Sequence, residues 1–330
     1  MPDTGTRQIS HVGLHVADLD RALGYYQGLL GLELVDRGRR SGDQVDAILG
    51  RDGVSFDRAL LRLPESNAFL ELIDYGDQAG EPVDPLHGNV GTCHVAFYTD
   101  DLDETWATLE AAGSELQGEV TEIEGGVFDG GKVIYCTDPD GIRVEFLQGP
   151  AYLDGSVRDP DAVPKLTRAN ETSHAGIHVS DLDAACRFWV DVLGLEVVAK
   201  WVANDDGTRR VIGEPTADLN MAMLRMPGFN GYIEVIEYQS TPGRTTVDPD
   251  HFNPSTCHLA FYVDDVEQTL TALEQAGGRR ISAGPVDIAD GPIAGAKVAY
   301  AADPDGFRVE LIQSDRLLDG SARPAEAASA

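Results

Sequence analysis

Apolar residues alternate with polar ones from Ile9 to Val16, a two-residue period that predicts a strand. The period then changes. Across Asp18–Leu30, Leu19, Leu23, Tyr26 and Leu30 fall on one helical face, and Gly31 ends the helix. Leu32–Asp36, Arg58–Leu63 and Ala68–Tyr75 return to the strand pattern. The order restarts at Cys93. Cys93–Thr99 reads as a strand, Leu102–Ala112 as a helix stopped by Gly113, and Leu116–Val120, Lys132–Thr137 and Ile142–Gln148 as strands. Each unit is therefore one strand, one helix and three strands.

The second half of the chain repeats the first. His11-Val-Gly-Leu-His-Val-Ala-Asp-Leu answers His174-Ala-Gly-Ile-His-Val-Ser-Asp-Leu. Thr92-Cys-His-Val-Ala-Phe-Tyr answers Thr256-Cys-His-Leu-Ala-Phe-Tyr, and Asp138-Pro-Asp-Gly answers Asp303-Pro-Asp-Gly. The expected organisation is α+β: four βαβββ units in two tandem domains, 1–150 and 172–313. Between them runs a polar linker, 151–171, and after them a tail, 314–330, rich in Ala, Ser and Pro near its end.

The net charge of -31, from 25 basic and 56 acidic residues, excludes nucleic acid and anionic membrane as expected partners. Lys132, Lys165, Lys200 and Lys297 are the only lysines, which suits either a high-salt cytoplasm or a GC-rich genome. No apolar run approaches the ~20 residues of a membrane span. Met-Pro-Asp-Thr-Gly at the N-terminus has neither the basic nor the apolar part of a signal peptide. A cytoplasmic protein, monomer or homodimer, with a small-molecule substrate is the expectation. Cys93, Cys136, Cys186 and Cys257 contain no CxxC pair and are expected as buried free thiols.

All eight histidines fall into twins, 163 or 164 residues apart: His11/His174, His15/His178, His87/His251 and His94/His258. Glu71/Glu234 and Glu145/Glu310 keep nearly the same spacing inside apolar strands such as Phe-Leu-Glu-Leu-Ile. An ionised glutamate there is costly unless it is paired or binds a metal. Two imidazoles and two carboxylates suit a divalent ion: Zn, Ni, Co, Mn or Fe. The candidate ligands are His11, Glu71, His94 and Glu145, then His174, Glu234, His258 and Glu310.

On these marks, His-x-Gly at the start of each half, the Asp-Leu helix boundaries and Asp-Pro-Asp-Gly-x-x-Val-Glu at the end, the chain resembles the vicinal oxygen chelate superfamily. That superfamily includes glyoxalase I, bleomycin resistance proteins and type I extradiol dioxygenases. The resemblance implies paired βαβββ units curled around one divalent metal, and lyase or isomerase chemistry through an enediolate or enolate. A site joins units one and two or units one and four; either pairing supplies two His and two Glu. Glyoxalase I holds glutathione with an arginine and an asparagine at the positions of His15/His178 and Tyr75/Tyr238, so glutathione dependence is not expected. The first alternative is ferrous extradiol ring cleavage by His174, His258 and Glu310, although the usual catalytic histidine before the Tyr135 and Tyr300 segments is missing. The second is a ligand-binding resistance protein without turnover.

Further roles follow from position. Glu145 and Glu310 are candidate proton carriers as well as ligands. His15 and His178 lie about 13 Å along the strand from the first ligands, as expected substrate contacts or proton shuttles. His87 and His251, in loops, are candidate acid-base groups over the metal. Tyr75, Tyr238, Tyr135 and Tyr300 are expected to line the substrate pocket.

Overall fold

The computed structural model describes residues 6, 8–84, 88–123, 129–153, 155–159, 168–226, 231–239, 244–247 and 252–324. His87 and His251 lie outside the described residues. Unit one comprises β1 (Gln8–His15), α1 (Leu19–Leu23, continued by a π-helical turn over Gly24–Leu29), β2 (Glu33–Ser41), α2 (Asp43–Leu49), β3 (Ser55–Arg62) and β4 (Phe69–Asp74). Unit two comprises β5 (Cys93–Tyr98), α3 (Leu102–Ala111), β6 (Thr121–Glu122), β7 (Lys132–Thr137) and β8 (Arg143–Gln148). Unit three repeats the first as β9 (Glu171–Val179), α4 (Leu182–Leu193), β10 (Glu196–Ala203), α5 (Asp206–Ile212), β11 (Leu219–Arg225) and β12 (Tyr232–Tyr238). Unit four comprises β13 (Cys257–Tyr262), α6 (Val266–Gln275), β14 (Arg279–Arg280), β15 (Val286–Asp287), β16 (Lys297–Ala302) and β17 (Arg308–Gln313).

The same device starts the first helix of every unit. Asp18, Asp101, Asp181 and Asp265 each accept the backbone N–H three residues on, which is worth about 1 kcal/mol per cap. Two expectations change. Helices α2 and α5 were not foreseen; α2 has only seven residues and buries only Leu49, so it carries almost no apolar period. Leu116–Val120 is not a full strand. Leu116 makes one bridge to Cys136, and the Glu119 N–H then turns away to donate to the Arg210 carbonyl at the end of α5.

The strands form two curled sheets, and each sheet takes one unit from each half. The first runs β14-β16-β17-β13-β1-β4-β3-β2, with β15 beside β16; the second runs β10-β11-β12-β9-β5-β8-β7-β6. Units one and four meet where β1 pairs antiparallel with β13, and units two and three where β5 pairs with β9. The open choice of pairing thus resolves as one with four and two with three.

Alternation along the central strands sends Val12, Leu14, Val95 and Phe97 to a core shared by all four units, with Trp189, Phe146 and Phe261 fully buried in it. Each such side chain contributes roughly 1.5–3 kcal/mol by leaving water. Cys93 and Cys257 share this face and are joined by a disulfide, which corrects the expectation of free thiols. They meet because β5 and β13 turn the same alternate positions into the common core, with the two Cα atoms 6.5 Å apart. Cys136 and Cys186 are free and buried. No helix among the described residues is long and apolar enough to cross a membrane.

Candidate metal centres

The opposite face of the same strands carries the histidines and glutamates. Strand register arranges them in two rows. Across β4-β1-β13-β17, one row reads Glu71, Gly13, His258, Arg308, and the next reads Phe69, His11, Ala260, Glu310. Across β12-β9-β5-β8 the rows read Glu234, Gly176, His94, Arg143 and Tyr232, His174, Ala96, Glu145. Gly13, Ala260 and their twins Gly176 and Ala96 alternate with the ligands and leave room for the imidazoles. The result is two buried clusters, His11/Glu71/His258/Glu310 and His94/Glu145/His174/Glu234, each with four ligand atoms within 4.8 Å of one another.

In the first cluster the Nε2 atoms of His11 and His258 stand 3.0 Å apart. His11 Nε2 lies 2.9 Å from Glu310 Oε2 and 3.3 Å from Glu71 Oε2. In the second, His94 and His174 face each other at 3.1 Å, with Glu145 Oε2 3.0 Å and Glu234 Oε2 3.5 Å from His174 Nε2. Ser10 Oγ lies 3.2 Å from His11 Nδ1, and Ser173 Oγ lies 3.0 Å from His174 Nδ1. A serine that accepts from Nδ1 leaves Nε2 as the lone-pair donor aimed inward, the usual arrangement behind a metal-bound imidazole.

Burial alone would strip the proton from all four imidazoles. Glu71 and Glu310 overcome it at His11, whose pKa rises to about 9, and Glu145 and Glu234 do the same for His174, which rises to about 10. Burial prevails at His94 and His258, which fall below their ordinary value. Burial also resists the charge on Glu145, yet His174 and His94 hold its carboxyl down at about 2; Arg58 and His11 do so for Glu71. In each cluster one imidazole, His11 or His174, thus carries a proton beside its carboxylates. It satisfies them incompletely: neither Glu145 Oε2 nor Glu234 Oε2 receives a well-aligned hydrogen bond, although His174 Nε2 is close to both. The donor set and its inward aim fit a divalent ion of the borderline class.

The clusters take the second of the two pairings left open: His11 and Glu71 of unit one join His258 and Glu310 of unit four. The ring-cleavage triad His174, His258 and Glu310 is split between the two clusters. His15 lies behind the first cluster. Buried, its Nδ1 lies 2.8 Å from Thr256 Oγ1 and its Nε2 3.3 Å from His258 Nδ1, so it braces the back of a ligand. His178 likewise holds Thr92, 2.8 Å away, with its ring 6.1 Å from that of His94.

Tyr135 and Tyr238 do line a cavity of about 620 Å³ whose floor includes Glu145, His174 and Glu234. Tyr300 instead touches the first cluster, its hydroxyl donating to Glu310 Oε2 at 3.0 Å. Tyr75 packs against Phe252, with ring centroids 4.3 Å apart and the planes tilted by 58°. Three arginines escaped the sequence reading. Arg143 and Arg308 precede Glu145 and Glu310 by two residues, and that strand spacing was the available signal. Arg58 pairs with Glu71 at 2.6 Å.

This geometry can be set beside known proteins. Residues 8–146 and 172–311 each match the Glyoxalase/Bleomycin resistance protein/Dioxygenase superfamily. The chain belongs to this superfamily. Among its members, the 2-epi-5-epi-valiolone epimerase of Actinomyces sp is 35% identical over 142 residues, covering 42% of this chain and 76% of that protein. A lactoylglutathione lyase of Arabidopsis thaliana is 26% identical over 336 residues, or 96% of this chain and 95% of that one. Glyoxalase I from Zea mays shares the fold, with a TM-score of 0.61 and 21% identity over 93% of this chain and 92% of that one.

Proposed function

We propose that the protein is a divalent-metal-dependent enzyme of the glyoxalase and epimerase type, with lyase or isomerase chemistry on a small molecule bearing two neighbouring oxygens. The observation that carries this reading is the convergence, twice, of two imidazole nitrogens and two carboxylates in a buried cluster. A divalent ion held by either set would supply Lewis-acid stabilisation of the charge that builds on those oxygens as an α-proton leaves. The rest falls to the chain. Glu145, facing Glu234 across the second cluster, takes the proton and returns it, and Glu310 stands at the same place in the first. Val133, Leu147, Met221 and Ile236 wall the second cup with apolar surface and limit water at the reacting carbon. Arg143 contributes the buried cation of that wall, which favours a substrate with an anionic oxygen.

The substrate in this reading is not a glutathione conjugate. His15/His178 and Tyr75/Tyr238 occupy the positions where glyoxalase I carries its glutathione arginine and asparagine, and both histidines are buried behind ligands. The fourth donor in each cluster, Glu71 or Glu234, speaks for this chemistry over ring cleavage at a three-ligand site.

The test combines elemental analysis with α-proton exchange. Protein reconstituted with Co, Ni or Zn should hold two equivalents per chain and should exchange the α-proton of small hydroxyketones for solvent deuterium without added thiol. Exchange strictly dependent on glutathione would overturn the thiol-free part. No metal uptake and no exchange would overturn the whole reading.

A further inference from the structure

The two cups differ where their register is otherwise shared. Leu60 on β3 pairs with Glu71, and its twin Met223 on β11 pairs with Glu234. Two residues earlier, on the same face, stand Arg58 in one cup and Met221 in the other. Arg58 Nε contacts Glu71 Oε1 at 2.6 Å, whereas Met221 lines the 620 Å³ cavity. A second difference lies before the β5 and β13 strands. Val83-Asp-Pro-Leu-His-Gly88-Asn answers Val247-Asp-Pro-Asp-His-Phe252-Asn, so Phe252 stands where the other cup has Gly88. Phe252 is buried, with its ring 4.3 Å from that of Tyr75 and the Arg51 guanidinium 4.4 Å above it.

The consequence extends to the surrounding positions. Leu49, Ile73, Tyr75 and Tyr300 pack with Phe252 into one hydrophobic cluster, and the Tyr300 ring lies 5.3 Å from the His258 ring. Their twins Ile212, Ile236, Tyr238 and Tyr135 also pack together, but with Gly88 in place of Phe252, and they line the open cavity. The Tyr300 hydroxyl adds a polar plug, 3.0 Å from Glu310 Oε2 and 3.2 Å from His258 Nε2.

We propose that substrate binds only at the His94/Glu145/His174/Glu234 cup, and that Arg58 and Phe252 are the residues that close the twin. The proposal rests on the metal-enzyme reading above. The closed cluster keeps all four donors, so it retains a metal without offering a bidentate ligand a way in. Arg58 neutralises one carboxylate, and Phe252 with Tyr75 fills the space a substrate needs. The closed site then serves as a clasp between the first and last units of the chain, while the open one carries turnover.

Acetohydroxamate, a small chelator that presents two neighbouring oxygens, distinguishes the cups by stoichiometry. Protein loaded with cobalt is titrated by calorimetry and visible absorption, with metal content measured in parallel. The wild type should bind one hydroxamate per chain beside two metals. R58M/F252A should bind two, as the closed cup opens. M221R should lose at least tenfold in hydroxamate affinity, because the new guanidinium pairs with Glu234 as Arg58 does with Glu71. Circular dichroism checks that each variant is folded. Two hydroxamates in the wild type would overturn the proposal while leaving the metal reading intact, as would a stoichiometry of one that R58M/F252A does not change. Failure to take up any metal would sink the metal reading, and this proposal with it.

Discussion

Gly13 and His258, 245 residues apart in the chain, occupy one space: a β-carbon on Gly13 would stand 1.9 Å from His258 Cε1. Gly176 has the same relation to His94. The glycine of each His-x-Gly motif is therefore a seat for a ligand from the partner unit, across the β1/β13 and β9/β5 junctions. Gly13→Ala and Gly176→Ala should each cost about 1–3 kcal/mol by overpacking. Each should also reduce bound metal from two equivalents to one, as the displaced imidazole leaves its cluster. Chemical denaturation with elemental analysis checks both. A variant that keeps two metals and wild-type stability would show that the ring has another place to go.

Metal uptake should depend steeply on pH. In the metal-free protein burial opposes a charge on His11 and His174, but their glutamates prevail and raise them to about 9 and 10. These folded-state values lie above the ordinary 6.5. The stability from each imidazolium is therefore fully present below pH 6.5 and is lost as pH rises through 9 to 10. A divalent ion must displace that proton, so affinity should climb about tenfold per pH unit at each cluster between pH 6.5 and 9. Calorimetry in buffers of different ionisation enthalpy should detect about one proton released per metal. Uptake without proton release and without pH dependence would mean that His11 and His174 are neutral in the metal-free protein.

The sequence made the units and the donor types legible because both rest on local signals. Strand alternation, Asp caps and polar residues inside apolar strands all survive folding intact. Unit pairing was not legible, since every unit carries one His and one Glu and any pairing yields the same chemistry. The pairing shows only in long-range contacts such as that of Gly13 with His258, which no local pattern encodes. Arg58 was missed because Phe56-Asp-Arg-Ala-Leu-Leu-Arg62 reads as an ordinary half-exposed strand. Only the pairing of β3 with β4, which sets Leu60 opposite Glu71 and Arg58 two residues away on the same face, shows that the guanidinium turns inward. His15 was misplaced because strand spacing gives distance along the chain but not which side chain from another unit lies between.

His15 should tune its cluster without touching substrate. Its imidazole links Thr256 Oγ1 to His258 Nδ1 and so orients the ligand ring. Removing such a partner typically weakens metal binding ten- to hundredfold. His15→Ala should show that loss at one of the two metal equivalents only, seen as a biphasic chelator competition curve. His15→Gln, which can reach Thr256 through its amide, should recover part of it. An equal loss at both equivalents would mean that the two clusters are coupled through the core.

The Cys93–Cys257 bond sits one residue from a ligand histidine in each cluster, which makes its contribution separable by experiment. It closes a loop of 164 residues between the second and fourth units. Loop-closure entropy for so long a span gives a stabilisation of about 2–5 kcal/mol. The ligands, however, are fixed by the strand ladders: Gly13 pairs with His258 and Gly176 with His94 through backbone register independent of the sulfurs. Cys93→Ala/Cys257→Ala, or reduction with dithiothreitol, should therefore lower Tm by several degrees while both metal equivalents stay bound at neutral pH. Mass spectrometry under non-reducing conditions establishes the bond, and thermal denaturation with parallel metal analysis separates the two effects. If metal is lost before the fold melts, the disulfide holds the histidines in place and the ladders alone do not.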